Sequence, residues 1–335
     1  MNGFLDYVRS LPKAELHLHI EGTLEPAMLM NLAEKHQVNL PYLTAADVER
    51  AYNFEDLQSF LDLYYLGASV LIDEDDFYSL MIRYLERCRD EGIVHTEMMF
   101  DPQTHTERGI EFSVFMSGFS RAMEDAKRQW GQSSLLIMCF LRHLPEESAF
   151  ETLKAAEPFK SQISSVGLDS SELGHPPEKF ERVYAAAGKQ GYRLVAHAGE
   201  EGPPTYILEA LDRLKVERID HGVRCMEDAE LVERLVKAQI PLTVCPLSNV
   251  RLCVFGTMAD HPIRHMLKRG LNVTVNSDDP PYFGGYLLDN FQALHRELGL
   301  TMEDARQLAI NSIRSSFIDE ASSAAWLDQL SVQTP

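Results

Sequence analysis

The sequence predicts an α/β chain folded as one (β/α)8 barrel of the TIM type, with a helical cap inserted after the first strand. Three observations carry this. Eight short apolar runs bounded by turn residues follow one another along 335 residues. Most are followed by a longer amphipathic segment, and consecutive βα units imply parallel strands. Histidines and acidic residues recur at the carboxyl ends of the runs, the face on which barrel enzymes build their sites.

The first run is Ala14–His19 and the second Val94–Phe100. The gap between them is too long for a single crossover. Residues 26–90 read as several helices, one of them in FEDLQSFLDLYYLGASVL, where apolar residues recur at helical spacing. This insertion is the expected cap. The remaining runs are Leu135–Leu141, Ser165–Leu168, Arg193–His197, Arg218–His221, Leu242–Cys245 and Asn272–Asn276. Pro262 suits a first helical turn and Gly270 a helix stop. Thr301 with Asp304 forms a capping-box pattern. Residues after Leu330 carry no packing signal and are expected to fray. No Pro/Gly/Ser-rich linker and no repeat divides the chain, so residues 1–335 are expected to form a single domain.

Composition narrows the function. Lys and Arg number 31 against 51 Asp and Glu, a net charge of −20. That balance repels nucleic acid and anionic membranes. It suits a small neutral substrate better than a polyphosphate. The five cysteines, Cys88, Cys139, Cys225, Cys245 and Cys253, are odd in number and form no CxxC pair. They are expected to be buried free thiols in a reducing compartment. MNGFLDYVRSLPK lacks an apolar signal core and no apolar run reaches membrane-spanning length, so a cytoplasmic protein is expected. The oligomeric state has no signature in the sequence.

His17 and His19 end the first run in ELHLHIEG. Alternate strand residues share one side, so both imidazoles can face one point at the barrel mouth. His197 closes the fifth run, His221 the sixth, and Asp278 and Asp279 follow the eighth. Singly, each could be a core histidine, a surface histidine or a cap. Their convergence on one face favours a site. Three imidazoles and a carboxylate suit zinc or another divalent transition metal, with iron and manganese as alternatives. An open coordination position would lower the pKa of a bound water. Glu200 could reach over the same mouth as a proton donor. Glu201 competes for that role, and spacing does not separate the two.

The segments LPKAELHLHIEGTLEP, HAGEE, RIDHGV, CPLSN and NSDDP together resemble the adenosine/adenine deaminase family of the amidohydrolase superfamily, over nearly the whole chain. HLHIEG and NSDDPPYFGGY are more similar to the adenine branch. The resemblance implies His17, His19, His197 and Asp278 as ligands of one divalent metal. It implies Glu200, not Glu201, as donor to purine N1, and His221 as the residue orienting the attacking water. It further implies Asp279 at purine N7, Gly174 at N3 through its amide, and Phe60, Leu61 and Tyr64 as the apolar cap on the base. The implied reaction is hydrolysis of adenine to hypoxanthine and ammonia. Deamination of adenosine or of N6-substituted adenines is the alternative. Glu21 stands where the adenosine branch carries an Asp that contacts ribose. Its extra methylene is expected to push the carboxylate into the ribose space.

Overall fold

The computed structural model describes residues 2–333. Eight parallel strands run in sequence order around a barrel: β1 Lys13–Glu15, β2 Ile93–Phe100, β3 Ser133–Leu141, β4 Ser165–Asp169, β5 Arg193–Ala198, β6 Arg218–His221, β7 Pro241–Val244 and β8 Asn272–Val275. All eight expected runs contain a strand, with ends shifted by at most two residues except in the first. There Ala14–His19 is not one continuous strand. The register slips between Lys13 and Ala14, and β1 stops at Glu15. The chain stays extended beyond it, bridging Leu18 to Asp278 and His19 to Met99. The Leu18–Asp278 bridge joins the first run to the segment after β8 and closes the ring.

The barrel interior is filled rather than hollow. Met99, Ile137, Cys139 and Val195 form an apolar layer with Phe317 packed against it. Beside Phe317, the fully buried Arg218 guanidinium donates to Glu97 at 2.7 Å and lies 4.7 Å from the Phe317 ring centre. This plug leaves the opposite, carboxyl-end face as the place for a ligand.

Four α-helices separate β1 from β2, after a short 3-10 turn at Glu21–Thr23: Pro26–His36, Ala45–Ala51, Leu57–Ala68 and Glu74–Glu91. The fourth packs against the helix Phe112–Trp130, as in the contact of Phe77 with Phe119, and belongs to the barrel's outer ring. The cap is therefore shorter than the expected 26–90. Within it, Leu57–Ala68 begins at a capping box between Asp56 and Ser59. It buries Leu57, Phe60, Leu61, Tyr64 and Ala68 along one face and exposes Gln58 and Asp62. Such a stripe places the apolar side on the barrel mouth.

Pro262 is the N-cap of Ile263–Lys268, Gly270 takes φ +83° just after it, and Thr301 and Asp304 form the expected capping box. The expected fraying after Leu330 is corrected for residues 331–333. The helix Glu320–Val332 is anchored by the buried Leu330, and the Gln333 side chain donates to the Ser10 carbonyl at 3.2 Å. Residues 334 and 335 lie outside the described part. Four cysteines are buried thiols, whereas Cys253 is exposed. No described helix is long and apolar enough to cross a membrane.

Candidate active site

The strand ends bring four imidazoles and two adjacent carboxylates together. His17 Nε2 and His19 Nε2 lie 3.3 and 3.6 Å from the same Asp278 oxygen. His19 Nε2 is 3.2 Å from His197 Nε2. His221 Nε2 lies 3.5 Å from Glu200 and 3.8 Å from Asp278. All six side chains are buried. His221 and Asp278 have φ values of +61° and +64°, and Ser170, just past β4, has +73°. Non-glycine residues in this region carry strain that surrounding structure must hold, a recurrent feature of functional sites.

The donor set fits a divalent metal. Potential ligand atoms of His17, His197, His221 and Asp278 lie within 4.8 Å of one another, and His19, Asp278 and Asp279 form an overlapping group. His17 Nε2 is buried with no hydrogen-bond partner, a costly state unless something is bound there. Polar groups stand behind the outer ring nitrogens, at hydrogen-bond distance only for His17. His17 Nδ1 is 3.0 Å from the Thr243 hydroxyl, which donates to Asp220 at 2.8 Å. His19 Nδ1 is 3.5 Å from Asp169, and His197 Nδ1 is 3.8 Å from Asp220. Carboxylates and hydroxyls behind metal-ligating imidazoles fix their orientation.

Electrostatics divides the carboxylates by role. Burial, reinforced by Asp278 and Glu172, holds the Glu200 carboxyl well above the usual carboxylate range. Burial and Asp278 push Asp279 up likewise. Asp278 itself falls well below its ordinary value, because the imidazoles, His17 first, outweigh its burial. Burial, followed by the neighbouring His17, keeps His221 well below the usual histidine range, hence neutral. A neutral acid and a neutral imidazole thus face each other beside an ionised carboxylate.

A cavity opens onto this cluster. Phe60, Leu61, Tyr64 and Phe283 line it with His19, His197, Glu200, His221, Asp278 and Asp279. Phe60, Leu61 and Tyr64 are therefore both packing residues and cavity wall. Gly22 shows why HIEG needs its glycine: a Cβ there would stand 1.8 Å from an Asp279 carboxylate oxygen.

Two expected contacts are not brought to the cavity. Gly174 is exposed and lines no part of it; Asp169 and Ser170 form that wall. Glu21 is buried behind the wall. Its carboxylate accepts the Asp101 amide at 3.2 Å and lies 2.8 Å from His105 Nε2. The carboxylate is turned toward His105, and Asp101 and Tyr64, not Glu21, line the cavity.

Asp101, Asp169, Asp220, Asn249 and Glu172 were missed. Asp101 and Asp169 stand at carboxyl ends of strands, the same signal that marked His197. Asn249 lies inside CPLSN, with its amide 3.2 Å from His221 Nδ1. Glu172, an acid in the loop after β4, carries no local signal.

A filled parallel barrel with a buried imidazole–carboxylate cluster at its carboxyl end defines a metal-dependent hydrolase of the amidohydrolase type. The adenosine deaminase family model matches residues 12–333, and the chain belongs to that family. An adenine deaminase of Acinetobacter baylyi is 56% identical over 325 residues, covering 97% of this chain and 98% of the relative. The crystal structure of an adenine deaminase from Arthrobacter aurescens superposes with a TM-score of 0.94 at 52% identity, covering 96% of this chain and 98% of that one. A zinc-bound amidohydrolase from Burkhoderia ambifaria aligns at 25% identity with a TM-score of 0.89, covering 97% of this chain and 91% of that one.

Proposed function

We propose that this protein hydrolyses adenine to hypoxanthine and ammonia. The observation that carries the chemistry is the buried Glu200, held neutral and facing His221 beside the imidazole–carboxylate cluster. The relatives above 50% identity named as adenine deaminases support the substrate.

His17, His19, His197 and Asp278 would hold one divalent ion, zinc first and iron or manganese next. Bound there, it supplies Lewis acidity and lowers the pKa of a water. The chain's own groups do the rest. Glu200 donates its proton to N1, which makes C6 electrophilic. His221, fixed at Nδ1 by Asn249, aims Nε2 at the attacking water and accepts a proton. Asp279 keeps its proton and donates a hydrogen bond to N7. Phe60, Leu61 and Tyr64 cover the ring and exclude water, so that positioning lowers the barrier. Addition of water at C6 and departure of the amino group as ammonia complete a balanced hydrolysis. The negative surface and unpaired thiols suit a cytoplasmic enzyme acting on a small neutral base.

Parallel steady-state assays on adenine, adenosine and N6-methyladenine test this. We expect kcat/KM for adenine to exceed that for adenosine by at least about 10³, near 4 kcal/mol in transition-state stabilisation. Equal or faster turnover of adenosine overturns the substrate assignment and leaves the hydrolytic chemistry standing.

A further inference from the structure

The geometry points to Asp101 as the residue that reads the ring N–H at position 9 of the free base, and so excludes substrates substituted there. The inference rests on adenine as substrate and deepens that reading.

Asp101 directly follows β2, is 2% exposed and lines the cavity. Its two carboxylate oxygens differ. Oδ2 accepts the Tyr64 hydroxyl at 3.1 Å. Oδ1 is buried without a partner. Its backbone amide is tied to Glu21, which is itself held by His105, so the side chain has a fixed base. On the neighbouring polar wall the Ser170 hydroxyl is engaged, 2.8 Å from both the Tyr65 hydroxyl and His143 Nδ1. Asp169, whose two oxygens also lack hydrogen-bond partners, stands 3.5 Å from His19 Nδ1, behind a candidate metal ligand.

With C6 and N1 at Glu200 and N7 at Asp279, the imidazole N–H of adenine lies at the end of the ring away from Glu200. Asp101, Asp169 and Ser170 line the same cavity as Glu200 and Asp279. A buried acceptor lacking a donor costs free energy, which an N–H it can meet recovers. A 9-substituted purine removes that donor and sets carbon against the carboxylate. Sites built to pair with an N–H reject analogues lacking it far more strongly than apolar pockets reject added bulk. Asp101 therefore does what the longer Glu21 was expected to do, with Glu21 as its support.

The test compares the wild type with Asp101→Ala and Asp101→Asn. The readouts are kcat/KM for adenine and 9-methyladenine and calorimetric Kd for both bases, with metal content and melting temperature measured. We expect Asp101→Ala to weaken adenine by about 10²-fold in Kd or kcat/KM, and Asp101→Asn by less, since an amide oxygen still accepts. The 9-methyladenine values should change by less than about threefold, so that the ratio between the two bases collapses. An equal loss on both bases in folded, metal-replete variants overturns the role of Asp101 and leaves adenine as substrate. A wild type inert on adenine overturns the substrate reading, and this inference with it.

Discussion

The carboxylate of Glu172 accepts the backbone amide of Glu200 at 3.1 Å, and it also takes the amides of Gly199, Glu201 and Gly202 at 2.6, 2.8 and 2.7 Å. One side chain thus holds the turn that presents Glu200, the proposed proton donor. Its negative charge also raises the proton affinity of Glu200, after burial and Asp278. In Glu172→Gln, one end of the side chain can only donate, so the four-amide cradle breaks. We expect kcat to fall by about 10- to 100-fold through misplacement, with metal retained. Glu200 must be protonated to act, so activity declines as pH rises through its pKa. Removing a neighbouring negative charge lowers that pKa, and the alkaline limb of the kcat profile should move to lower pH. An unchanged profile and rate would show that the cradle does not govern Glu200.

Glu200→Gln keeps the size of the donor and removes its proton. The expected result is a fall in kcat of at least about 10² to 10⁴ with metal content intact. A variant altered only in KM would assign Glu200 to binding.

His197→Ala removes one of the proposed ligands and leaves His17, His19 and Asp278 around a larger gap. Elemental analysis should find most of the metal gone, and turnover should be nearly abolished. Chelation of the wild type should lower its melting temperature, because an ion bound to the folded state alone stabilises it by mass action. Full activity in a metal-free sample would refute metal dependence.

Glu97, buried beside Arg218, has its pKa brought down to about 2, since Arg218 and His95 outweigh burial. Its unfolded value is the ordinary 4.5. A depressed folded-state pKa contributes stability that is present above about pH 4.5 and lost as pH falls toward 2. The shift corresponds to roughly 3 kcal/mol. In Glu97→Gln, the buried Arg218 loses its 2.7 Å charge partner and keeps only Asp220 at 3.8 Å, and we expect a loss of about 3 kcal/mol at neutral pH. The acid dependence of urea unfolding between pH 5 and 2 should flatten in the variant. An unaltered pH dependence would exclude Glu97 as its source.

The sequence alone determined the barrel, its eight strands and the cluster of His17, His19, His197, His221 and Asp278, because these are local quantities. Apolar runs, turn residues and the two-residue alternation along a strand depend on neighbours in the chain. The strand end that marks His197 also falls at Asp101 and Asp169. Only the tertiary structure decided which way Glu21 turns, since His105 and the Asp101 amide, more than 75 positions away, compete for its carboxylate. Only it showed Gly174 outside the cavity and Glu172 beneath the Glu200 turn, because a loop's path follows from packing and from backbone amides that need an acceptor. The positive φ of His221 and Asp278 belongs to the same class. No pattern of residue types announces it, because the closed barrel imposes it where β6 and β8 end.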